Sequence, residues 1–230
     1  MSIEELKRQA ARRAVEEVED GMVLGLGTGS TTAFVLERLG ELLRSGKLSK
    51  VVGVPTSERT AEQARTLGIP LSTLKQHPAV DLAIDGADEV DPNLDLIKGL
   101  GGALLREKMV ECVATRFVVV VDHSKLVERL GARCPVPVEV SPQNWRDSAE
   151  WLSTLGCDPV LRGGEQPYLT DGENNLLDCD FSGGIVDPQA IARTLDEDPR
   201  VLAHGLFLGM ADQVVVAQPA GIRVLSRVTA

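Results

Sequence analysis

From Met22 to Val121, short apolar runs alternate with amphipathic stretches of helical period, and that alternation leaves few folds open. The runs Met22–Leu26, Val51–Val54, Val80–Ile84 and Phe117–Val121 read as buried strands. Between them lie helical segments: one begins near Phe34, one spans Ser57–Leu67, and one spans Ala103–Ala114. An earlier helix carries Ile3, Leu6, Ala10, Ala14 and Val18 on one face. Strands that alternate with helices predict a parallel sheet covered on both faces, with right-handed crossovers. In such sheets ligands sit beyond the carboxyl ends of the strands. Three polar clusters fall at those ends: Thr28–Thr31, Asp85–Asp88 and Asp122–Lys125.

The pattern changes after Gly131. Pro135-Val-Pro-Val-Glu-Val140 alternates and is punctuated by proline, which predicts an edge strand. A helix over Asn144–Leu155, short extended pieces, a turn at Thr170–Asn175, a helix after Asp187-Pro188 and a last strand over Val201–Phe207 follow. The order β-α-β-β-α-β is that of a small ferredoxin-like α+β unit. Val214–Ala217 and Ile222–Leu225 are apolar again and can return to the first sheet. The expectation is therefore a Rossmann-like α/β domain from 1–130 plus 206–230, with a smaller α+β domain from 131–205.

The formal net charge of −10 argues against a general nucleic-acid binder, which would show a basic stripe. A local basic pocket for a small anion remains compatible with it. Cys112, Cys134, Cys157 and Cys179 form no C-x-x-C pair, and no histidine cluster signals a metal. The first ten residues are charged and helical, and no apolar run is long enough to span a bilayer. The expectation is a cytoplasmic protein with reduced thiols and no membrane or nucleic-acid partner.

The chemistry is concentrated in two loops. Gly25-Leu-Gly-Thr-Gly-Ser-Thr-Thr32 joins a strand to a helix, where bare N–H groups and a helix N-terminus attract an anion. Thr28, Ser30 and Thr31 can add hydroxyl donors, and the plain alternative is a tight turn with a helix cap. The loop is neither the dinucleotide fingerprint nor a Walker A loop, because the third glycine and the Gly-Lys pair are missing. The second stretch delivers Asp85 and Asp88 around Gly86-Ala87, then Lys98 before Gly99, Gly101 and Gly102, then Glu107 on a helix. Acids, a cation and open backbone together suit an active site. Each piece has a plainer reading: an Asx turn, a surface loop and, on spacing alone, a solvent-facing Glu107. Glu89, Asp91 and Asp95 are expected to be solvated and not catalytic, and His77 and His204 structural.

Taken jointly, G-L-G-T-G-S-T-T, V-P-T-S-E-R-T, I-D-G-A-D-E, K-G-L-G-G-A-L-L-R-E-K and D-H-S-K, in that order, closely resemble ribose-5-phosphate isomerase of the A type. The resemblance covers essentially the full length. It implies interconversion of D-ribose 5-phosphate and D-ribulose 5-phosphate without metal or organic cofactor. It makes Glu107 the general base, and Asp85 and Asp88 the acids that serve ring opening and hold hydroxyls, with Gly86 and Ala87 between them. Lys98, with Gly99, Leu100 and Gly101, matches the group that stabilises an enediolate. Thr28, Gly29, Ser30 and Thr31 match a substrate-binding loop, Lys125 a further binding lysine, and Lys7 a basic position near the phosphate. Leu100 and His123 depart from the common pattern. The family is usually dimeric or tetrameric, so a homodimer or homotetramer is expected. The competing classes are a sugar-phosphate sensor, a CoA-transferase-type enzyme with a glutamate nucleophile, and a dinucleotide oxidoreductase.

Overall fold

The computed structural model describes residues 2–227. Its contacts group into two units, one of Met1–Ala87, Arg106–Lys125 and Met210–Ala230, the other of Asp88–Leu105 and Leu126–Gly209. The chain thus leaves the first unit after Ala87 and rejoins it at Arg106, so 88–105, read from the sequence as part of the α/β domain, group with the second unit.

The first unit is built on a six-stranded sheet. Its order is β13 (Gly221–Ser226), β12 (Gln213–Gln218), β6 (Ala114–Asp122), β3 (Val80–Asp85), β1 (Val23–Leu26), β2 (Val52–Pro55). All neighbours are parallel except the β12–β13 hairpin at the edge. The two tail strands therefore do return to the first sheet. Helix α1 (Ile3–Val15) starts at Ser2, whose hydroxyl accepts from Glu5 N–H, and it buries Leu6, Ala10, Ala11, Ala14 and Val15. Those residues join Leu24 and Leu26 of β1, Leu36 and Leu39 of α2 (Thr32–Arg44), and Val118 and Val120 of β6 in one apolar core. Helix α3 (Glu58–Thr66) begins at Ser57, whose side chain accepts from Thr60 N–H. Helix α4 (Leu104–Glu111) leads into β6. A helix between parallel strands runs back along the sheet, so its N-terminal end lies at the strands' carboxyl ends.

The second unit holds an antiparallel sheet ordered β10 (Val201–His204), β7 (Val136–Val140), β9 (Asn175–Asp180), β8 (Asp158–Leu161). With α5 (Trp145–Ser153) and α6 (Pro188–Glu197) it gives the expected β-α-β-β-α-β order. Two expectations fail here. β7 is an inner strand, not an edge strand. Pro137 is tolerated because it faces Gly205, one residue past the end of β10: Gly205 N–H donates to the Pro137 carbonyl (2.8 Å), and the Gly205 carbonyl, which an N–H at position 137 would bond in return, accepts from Lys98 N–H instead (2.9 Å). The expected Val201–Phe207 strand is also broken at Gly205. Its second half, β11 (Leu206–Phe207), pairs with β5 (Leu96–Ile97), which pairs with β4 (Glu89–Val90).

Those three short strands explain why 88–105 leave the first unit. They also correct the expectation that Glu89, Asp91 and Asp95 are solvated, because all three are buried. The Glu89 carboxylate accepts N–H bonds from Gly131 (2.6 Å), Arg133 (2.6 Å) and Cys134 (2.9 Å). Asp91 accepts from the N–H of Asn93 and of Asp95, and burial raises its pKa above the usual aspartate value. Asp95 accepts from Gly209 N–H and from Gln189 Nε2. These carboxylates serve as acceptors for turn backbone, a role that periodicity does not register. Among the described residues no helix is long and apolar enough to cross a membrane. Replacing Glu89 by Ala would strand three backbone donors. Since each unsatisfied group costs about 1–3 kcal/mol, E89A is expected to lower stability by at least ~3 kcal/mol, read as a fall in the urea midpoint at constant slope.

Candidate active site

In the first unit the site is built at the carboxyl ends of β1 and β3. The strands pair in register from Leu24 with Leu82 to Leu26 with Ile84, so the chain after Leu26 emerges beside Asp85. Asp85 is buried. Its Oδ1 accepts from Thr28 N–H (3.0 Å) and from Gly86 N–H (2.6 Å). Gly27 makes this approach possible: a Cβ there would lie 2.1 Å from the Asp85 carboxyl. Gly27 N–H in turn donates to Ile84 C=O (3.1 Å).

The loop residues divide in orientation. The Thr28 hydroxyl points into the protein, where Thr56, Ser57 and Thr60 hydroxyls lie 2.7, 2.8 and 3.0 Å away. It is therefore not one of the loop's outward hydroxyls, contrary to the reading that grouped it with Ser30 and Thr31. Ser30 is exposed and accepts a 2.8 Å bond from Lys7 Nζ. The structure thus brings Lys7, 23 residues earlier, to the anion loop. Gly29 C=O accepts from Ala33 N–H (3.0 Å) and Thr32 Oγ1 (2.9 Å), which seats the first turn of α2.

Glu107 lies in the first turn of α4 and is 2% exposed, so the solvent-facing alternative is excluded. Val110, one turn later on the same face, packs so tightly on β1 that a Cβ on Gly25 would meet its Cγ1 at 2.9 Å. Hence α4 directs Glu107 toward the sheet, from the helix end nearest the strands' carboxyl ends. Asp122 ends β6, and its Oδ1 accepts from Ser124 N–H (2.9 Å) and from the Ser124 hydroxyl. The resulting 3₁₀ turn, His123–Lys125, leaves Lys125 half-buried and His123 exposed.

The second unit holds the remaining candidates. Lys98 follows β5 and is 2% exposed. Its N–H donates to Gly205 C=O (2.9 Å), the carbonyl opposite Pro137, and its Nζ lies 5.5 Å from the centre of the Phe207 ring. A cation over an aromatic face gains attraction that partly offsets its burial. Asp88 N–H donates to Ile97 C=O (2.8 Å), and Asp88 Oδ2 accepts from Leu100 N–H (3.0 Å). The Leu100 departure is thus harmless to this bond, because the backbone supplies the donor. Sequence reasoning missed Arg162. Its Nη1 donates to the carbonyls of Gly99 (3.2 Å) and Leu100 (3.1 Å), while its other nitrogens pair with Asp178. An arginine 62 residues from the turn it clamps carries no local signal. Among the described residues no group of three or more His, Cys, Asp or Glu is arranged to hold a metal.

Comparison with known proteins identifies the family. The model of the family described as ribose 5-phosphate isomerase A (phosphoriboisomerase A) matches residues 52–221. A ribose-5-phosphate isomerase A from Roseiflexus castenholzii is 56% identical over 218 residues, covering 94% of this chain and 93% of the relative. A solved D-ribose-5-phosphate isomerase in complex with phospho-erythronic acid superposes with a TM-score of 0.96 at 45% identity, covering 99% of this chain and all of that one. Ribose 5-phosphate isomerase from Plasmodium falciparum gives 0.95 at 38% identity, covering 98% of this chain and 100% of that one. The fold and these relatives define an enzyme of the aldose–ketose isomerase class, an intramolecular oxidoreductase. The chain belongs to the ribose 5-phosphate isomerase A family.

Gly205 tests how Lys98 is held. A Cβ there would lie 2.3 Å from the Lys98 carbonyl oxygen and 2.7 Å from Pro137 Cδ. Overpacking of this kind typically costs ~1–3 kcal/mol. Gly205→Ala is expected to shift the urea midpoint accordingly and to lower kcat/KM about tenfold in an isomerase assay, through displacement of the lysine backbone.

Proposed function

We propose that this chain interconverts D-ribose 5-phosphate and D-ribulose 5-phosphate by a 1,2 proton shift, with Glu107 as the general base. The observation that carries the reading is the burial of Glu107 on the sheet-facing side of α4, in a chain whose relatives are named for this reaction. In the open-chain aldose, the Glu107 carboxylate takes the proton from C2. The C–H electrons form the C1–C2 double bond, and the C1 carbonyl oxygen takes up negative charge as an enediolate. The O2 proton passes to O1 as C2 becomes the carbonyl, and Glu107 returns its proton to C1, which gives the ketose. No atom is gained or lost. General base action of this kind typically supplies ~10²–10⁴-fold.

Lys98 is assigned the charge on the enediolate oxygen, with the N–H groups of Gly99 and Gly101; the Leu100 N–H is taken by Asp88 and only holds the turn in place. Loss of one preorganised donor of this type typically raises a barrier by about 3 kcal/mol. Asp85 and Asp88, with Gly86 and Ala87, serve ring opening and hold sugar hydroxyls. Gly29, Ser30 and Thr31, with Lys7 and Lys125, take the phosphate, while Thr28 shapes that loop from within. The phosphate makes no bond in the reaction; it orients the reacting carbons through remote binding energy. The reaction needs no metal or organic cofactor, and a cytoplasmic homodimer or homotetramer in pentose phosphate metabolism fits this chemistry.

Glu107→Gln removes the base while keeping its shape. It is expected to lower kcat by at least ~10³-fold with KM changed less than about threefold. The check is a ribose 5-phosphate isomerisation assay with EDTA present, run beside wild type, with tritium release from C2 as a second readout. Wild-type turnover by E107Q would remove Glu107 from the mechanism. Dependence of the wild-type rate on added metal would remove the cofactor-free scheme.

A further inference from the structure

Beneath the anion loop four hydroxyls share one buried cluster: Thr28, Thr56, Ser57 and Thr60, all 8% exposed or less. Thr28 Oγ1 also lies 3.0 Å from Thr60 Oγ1, where either atom can donate, and three further bonds have a direction. Thr28 Oγ1 donates to Ser57 Oγ (2.8 Å), Ser57 Oγ donates to Thr60 Oγ1 (3.0 Å), and Thr60 Oγ1 donates to Gly27 C=O (3.0 Å). The relay therefore begins and ends on the same loop. Thr56 Oγ1 lies 2.7 Å from Thr28 Oγ1 and donates to Leu26 C=O (3.1 Å), while Thr56 N–H also donates to Leu26 C=O (3.0 Å). Ser57 additionally accepts Thr60 N–H (3.1 Å) as the cap of α3. These side chains come from the Val54-Pro-Thr-Ser-Glu-Arg-Thr60 stretch, which has no part in the chemistry assigned above.

We infer that Thr60, Ser57 and Thr56 are positioning residues for the phosphate grip, acting through Thr28. Both polar groups of Thr28 other than its carbonyl are spent inside the protein, the N–H on Asp85 and the hydroxyl on this relay. What Thr28 does is fix the path of the chain immediately before Gly29, Ser30 and Thr31. The relay bolts that path to the N-terminus of α3. Buried hydroxyls are held tightly only when every member is satisfied, and removing one strands its neighbours. Loss of the Thr60 hydroxyl leaves the Ser57 proton and the Gly27 carbonyl without their partners, and the anion loop is no longer seated. The anchor for phosphate weakens while the proton-transfer groups stay where they are, which is the signature of lost uniform binding.

The inference rests on the ribose-phosphate reading, so the test separates the two. Thr60→Val and Thr60→Ser are compared with wild type for KM and kcat on ribose 5-phosphate, for calorimetric binding of inorganic phosphate, and for thermal midpoint. T60V is expected to raise KM and the phosphate Kd together, about five- to tenfold, with kcat within twofold; T60S is expected to restore both. Ser57→Ala, which breaks the middle of the relay, is expected to show the same pattern and stands in if T60V is not soluble. A folded T60V or S57A whose phosphate Kd stays within twofold of wild type overturns the inference. So does a variant whose kcat falls while KM and phosphate Kd hold, and so does a wild type that binds no phosphate. A wild type that binds phosphate but does not isomerise ribose 5-phosphate overturns the substrate reading alone, because the phosphate comparison still decides the role of the relay.

Discussion

The Asp85 carboxylate is the pivot of the first unit. It terminates β3, and it accepts the N–H groups of Thr28 from one loop and Gly86 from its own. A buried carboxylate is stable only when hydrogen-bonded, and here the donors are backbone groups that cannot swing away. Two loops are thereby locked together at adjacent strand ends. The arrangement demands glycine at position 27, because any Cβ would occupy the space of the carboxyl group. The hydroxyl relay from Thr28 to Thr60 then ties the same loop to a third element, α3.

The second unit solves a different problem, the burial of a lysine. Lys98 sits after a two-residue strand, which alone would hold it poorly. Three contacts supply what the strand lacks: the Gly205 carbonyl fixes its backbone, the Phe207 ring faces its ammonium, and β11 extends the pairing of β5. Pro137 contributes by omission, since it has no N–H with which to compete for the Gly205 carbonyl. Arg162, oriented by Asp178, holds the carbonyls of the glycine turn that follows.

Much of this was legible before any coordinates. The parallel sheet follows from apolar runs separated by amphipathic helices, though its strand order does not, and the loops at Thr28–Thr31 and Asp85 fall at strand ends because polar residues interrupt those runs there. The errors have one origin. Pro137 in an inner strand, the break at Gly205 and the burial of Glu89, Asp91 and Asp95 all depend on partners more than thirty residues away or on backbone donors in turns. Periodicity describes which face a side chain takes within its own element, and it is blind to an acceptor recruited by someone else's loop.

Local sequence determined the elements, their kinds and the residues capable of chemistry, because strand period, helix period and loop glycines are properties of neighbouring residues. The tertiary structure alone decided which way those residues point. Glu107 reads as a surface residue by spacing and is buried because α4 packs Val110 against Gly25 of β1. Thr28 reads as an anion donor and turns inward because Thr56, Ser57 and Thr60 arrive beneath it. Orientation depends on packing between distant segments, and only the folded chain brings those segments together.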